Sequence, residues 1–93
     1  MKESVIKRSR LELYYFILRS CTINEQHTRS SLNRHLKIPY SLLNECLTYL
    51  ERVGFLDINH NDRTIKTTLE GQDYVRKFGY LMYQVGDITH LTT

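Results

Sequence analysis

The hydrophobic period of this 93-residue chain changes at Gly54, and that change limits the fold more than any other feature. Before Gly54, apolar residues recur every three or four positions, the spacing of one face of an α-helix. After it, Phe55-Leu56-Asp57-Ile58 and Thr64-Ile65-Lys66-Thr67 alternate, the pattern of half-buried strands. Asn59-His60-Asn61-Asp62-Arg63 between them is a polar, turn-forming tip. From residue 74 the helical spacing returns. Helices, one short hairpin and a last helix therefore follow one another.

The first helical segment runs from about Ser9 to Cys21. Leu11, Tyr14, Tyr15 and Leu18 supply its apolar face, widened by Phe16 and Ile17. Ser9 with Glu12 three residues on has the spacing of a capping box. A polar stretch from Thr22 to His27 follows. Thr28 caps a short second helix with Leu32 and Leu36 on its buried side. Pro39 stops that helix, biases Ile38 toward extended backbone and suits the first turn of a third. The third helix places Leu43, Cys46, Leu47, Leu50 and Val53 at helical spacing, and Gly54 ends it. Thr68 caps the last helix, with Gly71 tolerated in its first turns.

Three helices followed by a hairpin is the order of a winged helix-turn-helix, an α+β fold that is mainly α. The run Leu47-x-x-Leu50-x-x-x-Gly54-x-Leu56 strengthens that assignment. Residues 1–68 form the DNA-binding head of this reading, and residues 69–93 a long C-terminal dimerisation helix. Tyr74, Phe78, Leu81, Val85 and Ile88 recur at steps of four and three, an a/d seam narrower than a globular helix face. Beyond its first turns such a helix projects an apolar seam into water unless a second copy covers it. The expectation is an antiparallel homodimer, with Met82 flanking the seam. Gly79 and Gly86, seven apart, would let two backbones approach closely.

The net charge of +3 hides an asymmetry. Residues 1–37 hold eight basic and three acidic side chains, a balance of +5; residues 38–93 hold five and seven, a balance of −2. Lys7, Arg8 and Arg10 open the first helix. Arg29, Arg34 and Lys37 lie on or after the second, and Arg63 and Lys66 on the wing, with His60 at its tip. In this fold the second helix, the start of the third and the wing face one side. Cations there neutralise DNA phosphates and release counterions. Thr28, and Tyr40, Ser41, Asn44, Glu45 and Thr48 on the outward side of the third helix, complete the expected surface. Tyr40 and Ser41 suit phosphates and Asn44 suits adenine, whereas Glu45 repels phosphate. No Arg or Lys stands there to read guanine, which points to low sequence specificity.

Several stretches together resemble one family: Lys7-Arg8 through Leu13, Phe16-Ile17-Leu18-Arg19 and Cys21; Thr28-Arg29; Tyr49-Leu50 with Val53-Gly54-Phe55-Leu56; Asp62-Arg63-Thr64-Ile65; and Thr68-Leu69-Glu70-Gly71. In this order, from Lys7 to Leu81, they are similar to the crenarchaeal ten-kilodalton "a"-class chromatin proteins, small winged-helix nucleoid-associated proteins. The resemblance implies a homodimer joined by an antiparallel coiled coil, with a DNA-binding head at each end. It also implies abundant, weakly specific binding to double-stranded DNA with bending or bridging, and a thermophilic source. The chain departs from the family at its C-terminus, where the heptad is short, contains Gly79 and Gly86 and ends without a charged tail.

Other functions fit less well. With 41% apolar and 25% charged residues the chain has the composition of a folded domain. It contains no run of about 18 apolar residues, so no membrane span is expected. Glu12 and Arg19 interrupt the apolar run near the N-terminus, unlike a signal peptide, so a cytoplasmic, nucleoid location is expected. Cys21 and Cys46 read as two reduced thiols, with a disulfide open for a hyperthermophilic source. His27, His35, His60 and His90 join no catalytic arrangement, and no Gly-rich phosphate loop exists, so neither an enzyme nor a cofactor, metal or small-molecule substrate is expected. The alternatives on the same fold are a sequence-specific archaeal or viral transcription regulator and a module for protein–protein assembly.

Overall fold

The computed structural model describes residues 9–22 and 26–92; the side chains of Tyr83 and of residues 85–92 lie outside that description. Helices α1 (Arg10–Thr22), α2 (Arg29–Leu36) and α3 (Tyr40–Arg52) are followed by strands β1 (Leu56–Ile58) and β2 (Ile65–Thr67) and by helix α4 (Leu69–Thr92). The chain is mainly helical with one two-stranded antiparallel sheet, in the expected order.

Local chemistry explains the boundaries. At the start of α1 the Ser9 amide donates to Glu12 Oε1 at 3.0 Å and the Glu12 amide to Ser9 Oγ at 3.1 Å, a reciprocal cap. Thr28 caps α2, and Ser31 returns the bond to the Thr28 amide at 2.8 Å. Lys37 ends α2 in left-handed backbone, φ 58°. Asn33 Nδ2 donates to the Ile38 carbonyl at 2.7 Å and closes the turn. Pro39 occupies the position just before α3. Gly54, φ +87°, ends α3: its amide donates to the Glu51 carbonyl and that of Phe55 to the Leu50 carbonyl. This is the paired closure that a left-handed glycine permits.

The core is built by Leu13, Ile17, Leu18 and Cys21 of α1, Leu32 of α2, Ile38 of the turn, Leu43, Cys46, Leu47 and Leu50 of α3, and Leu56 and Ile65 of the hairpin. Fully buried residues such as Leu32 and Ile38 each contribute about 2 kcal/mol by leaving water. The buried side of α1 is therefore Leu13, Ile17, Leu18 and Cys21; of the expected face Leu11, Tyr14, Tyr15 and Leu18, only Leu18 is fully buried. Leu11 is 53% exposed, and Tyr14 and Tyr15 are half-buried on the flank. Rings at the flank can pack on neighbouring elements and still keep their hydroxyls wet. Val53, expected in the α3 stripe, is exposed because it stands past the last helical turn.

The hairpin pairs Leu56 with Thr67, Asp57 with Lys66 and Ile58 with Ile65. Ile65 also donates to the His27 carbonyl at 2.9 Å, so the segment before α2 joins the sheet edge. Buried Thr67 donates through Oγ1 to the Leu18 carbonyl at 2.6 Å and ties β2 to α1. Thr68 Oγ1 accepts from the Gly71 amide at the start of α4.

Two glycines of α4 have roles that spacing did not reveal. A Cβ at Gly71 would collide with the Phe55 carbonyl and lie 2.6 Å from Thr67 Cγ2. Gly71 is thus required where α4 leaves the hairpin, not merely tolerated. A Cβ at Gly79 would sit 3.3 Å from the Tyr15 ring. The close approach at Gly79 is therefore to α1 of the same chain. Tyr74 and Val75 also pack on the core, so the first turns of α4 complete the head.

Candidate nucleic-acid interface

The start of α2, the first residue of α3 and the wing tip meet around one cleft of about 710 Å³. Thr28, Arg29, Ser30, Tyr40, Asn59, His60, Asp62 and Arg63 line it, over Ile58 and Ile65. Tyr40 donates to Ser30 Oγ at 3.0 Å and joins the first turns of α2 and α3. Thr28 carries the cap of α2, so its hydroxyl has a structural role. Ser30, Asn59 and Asp62 are not among the expected site residues; the fold brings Ser30 of α2 into one cleft with Asn59 and Asp62 of the wing tip.

The wing tip is a hydrogen-bonded turn. Asn59 Oδ1 accepts from the amides of Asn61 and Asp62, and Asp62 Oδ1 accepts from the Thr64 amide at 3.0 Å and hydroxyl at 2.7 Å. The bonds from Thr64 hold the pKa of the Asp62 carboxyl below its ordinary value, against an opposing effect of desolvation. Arg63 sits at φ 67°, a left-handed conformation that costs a non-glycine residue about 1 kcal/mol. The Asn59, Asp62 and Thr64 bonds offset that cost and fix the backbone from which Arg63 projects.

Along α3, Tyr40, Ser41, Asn44, Glu45 and Thr48 are all exposed, as the sequence predicts. The exposed carboxylates of this helix have partners from neighbouring elements: Arg10 meets Glu45 at 3.2 Å, and His60 meets Glu51 at 3.2 Å. Arg29, Arg34, Lys37, Arg63 and Lys66 are exposed and form no ion pair among the described residues. Arg10 and His60, also expected to face DNA, are thus engaged with α3 itself. Lys7 and Arg8 lie outside the described residues.

The side formed by α1 and α4 is aromatic. Tyr14 stacks on Tyr49 at 5.2 Å, Tyr74 contacts Phe55 and Phe78 at 5.6 Å each, and Phe78 contacts Tyr15 at 5.6 Å. The Tyr74 hydroxyl donates to the Leu11 carbonyl at 3.0 Å, and burial raises its pKa. Tyr74 and Phe78, the first two residues of the expected seam, therefore pack on their own chain. Their remaining surface lines a groove of about 660 Å³ with Phe55, Leu69, Glu70, Asp73, Lys77 and Leu81. Leu69 and Leu81 are 79% and 56% exposed, and Met82 is half-buried. Val85 and Ile88 have side chains outside the described residues.

Among the described residues, no cluster of His, Cys, Asp or Glu could hold a metal ion, and no helix is long and apolar enough to cross a membrane. No curated protein matches the chain. A family model described as winged helix-turn-helix matches residues 7–84, the span that holds α1 to α3, the hairpin and the packed turns of α4. With that match over most of its length, and three helices followed by a wing, with a cationic cleft between α2, the start of α3 and the wing tip, the chain belongs to the winged helix-turn-helix family, a DNA-binding and typically non-enzymatic family.

Proposed function

We propose that the protein binds double-stranded DNA with low sequence specificity, as a homodimer that bends or bridges DNA in the nucleoid. The observation that carries this reading is a division of chemistry. The exposed side of α3 offers hydroxyls, one amide and the Arg10-paired Glu45, while cations with no ion pair among the described residues stand beside it on α2 and the wing. Flanking cations supply affinity through phosphates without reading sequence. Asn44 alone on the face of α3 suits bidentate reading of a base. Each head lays α3 toward a major groove, while Arg63 and Lys66 hold backbone or minor groove. Residues 69–93 join two heads through an antiparallel helix pair. The groove beside α4 and the exposure of Leu69 and Leu81 support that pairing, since a second copy would remove them from water. The resemblance to crenarchaeal chromatin proteins supports the same assembly.

The test is a titration of random-sequence duplex at several salt concentrations, paired with a molecular-mass measurement. The affinity should fall steeply and log-linearly with salt. The preference for any single site should stay below about 10³, and the mass should be twice 11.1 kDa. Affinity that ignores salt overturns the docking reading. A footprint at one site, with a ratio above about 10³, makes the protein a sequence-specific regulator instead. Leu81→Glu should give monomers by light scattering, and a persisting dimer refutes the seam.

A further inference from the structure

Arg10 is the first residue of α1. A helix N-terminus carries partial positive charge and favours acidic side chains, so helix stability gives no reason for a cation there. Its surroundings do. Arg10 Nη2 donates to Glu45 Oε1 at 3.2 Å across 35 positions of sequence, with side-chain exposures of 47% and 64%. The charged form of the guanidinium is also favoured, chiefly by the nearby Tyr14 side chain, which raises its pKa. The Tyr14 ring in turn stacks on Tyr49, one turn along α3 from Glu45. A ring stack between α1 and α3 thus holds the cation beside the one carboxylate in the first half of α3.

We propose that Arg10 acts on DNA through Glu45, as a positioning residue that covers this carboxylate and keeps the recognition helix both tolerated by phosphate and indifferent to sequence. The inference rests on the reading that α3 faces DNA. Uncovered, Glu45 does two things there. It repels the phosphates that line the groove, and it becomes able to accept a hydrogen bond from the exocyclic amine of cytosine, the usual base partner of a carboxylate. With Oε1 bonded to Arg10, both effects are weakened.

The experiment is a double-mutant cycle on the full chain, read as affinity for random and cytosine-rich duplexes across a salt series. Arg10→Ala should weaken binding to random duplex about five-fold, and Glu45→Gln should strengthen it about three-fold. Arg10→Ala in the Glu45→Gln background should then change affinity less than about two-fold. The salt slope of Arg10→Ala should be shallower than wild type, and that change should vanish in the Glu45→Gln background, because the exposed repulsion is itself screened by salt. Its preference for cytosine-rich duplex should rise about three-fold and vanish in the double variant. Arg10→Lys, which keeps the charge, should restore most of the affinity. An equal loss in both backgrounds, with a slope shallower by about one, makes Arg10 a direct phosphate contact and overturns the inference. Wild-type affinity that does not respond to salt overturns the docking reading instead, so the two failures are distinct.

Discussion

The two sides of the head are built on opposite rules. On the side of α2, α3 and the wing, polar side chains stand exposed, and five cations make no ion pair among the described residues. On the side of α1 and α4, rings pack on one another across elements, and a glycine opens space for one of them. The first side has spare binding capacity and little packing. The second has packing, and its spare capacity is apolar. Changes on the aromatic side and in the core beneath it should therefore move stability, and changes on the polar side should move DNA affinity at nearly constant stability.

The sharpest way to break that division is at Gly71, where α4 meets the hairpin. Gly71→Ala places a Cβ against backbone and against Thr67, and neither yields cheaply. It should destabilise by about 3 kcal/mol, measured by urea unfolding. A stable Gly71→Ala protein would mean that α4 leaves the hairpin along a different path.

Alkaline pH probes the core below the rings. Burial pushes the Cys21 thiol from the ordinary 9.0 up to about 12, and burial raises Cys46 as well. Each thiol holds its proton in the folded chain above the pH at which it ionises when unfolded; the contribution of Cys21 is full below pH 9 and is lost as pH rises toward 12. The slope from Cys21 is about 1.4 kcal/mol per pH unit. Unfolding midpoints at pH 8, 10 and 11 should show the fall, and Cys21→Ala should shallow it.

On the polar side, replacing Arg63 and Lys66 together by alanine should weaken binding to all duplexes alike, by about ten-fold, and shallow the salt slope by about two. The unfolding midpoint should stay within about 0.5 kcal/mol of wild type. Unchanged binding would take the wing out of the interface. The smallest effect belongs to Tyr40→Phe. Losing the bond to Ser30 should lower affinity about two-fold by loosening the junction of α2 and α3. A large loss of stability instead would make Tyr40 a structural residue.

Much of this architecture is legible residue by residue. The Ser9/Glu12 box, the Thr28 cap, the stop at Gly54 and the alternation of the hairpin are local, and each is found where its spacing predicts. The outward side of α3 is equally legible, because polarity at helical spacing reports exposure directly. Leu11 and Val53 misled because an apolar side chain is consistent with either burial or exposure. The approach of Gly79 to Tyr15 was not legible, because the spacing of glycines does not name what comes close to them.

The sequence by itself determined the order of elements and their caps, since these follow from interactions a few residues apart, and it supplied the cations of α2 and the wing that the fold brings to one side. Only the tertiary structure decided that Arg10 lies beside Glu45, that Gly71 and Gly79 answer to Phe55, Thr67 and Tyr15, and that Tyr74 and Phe78 pack on their own chain before lining a groove. These pairings join positions far apart in the chain. They depend on the angle at which one element crosses another, which no local period encodes.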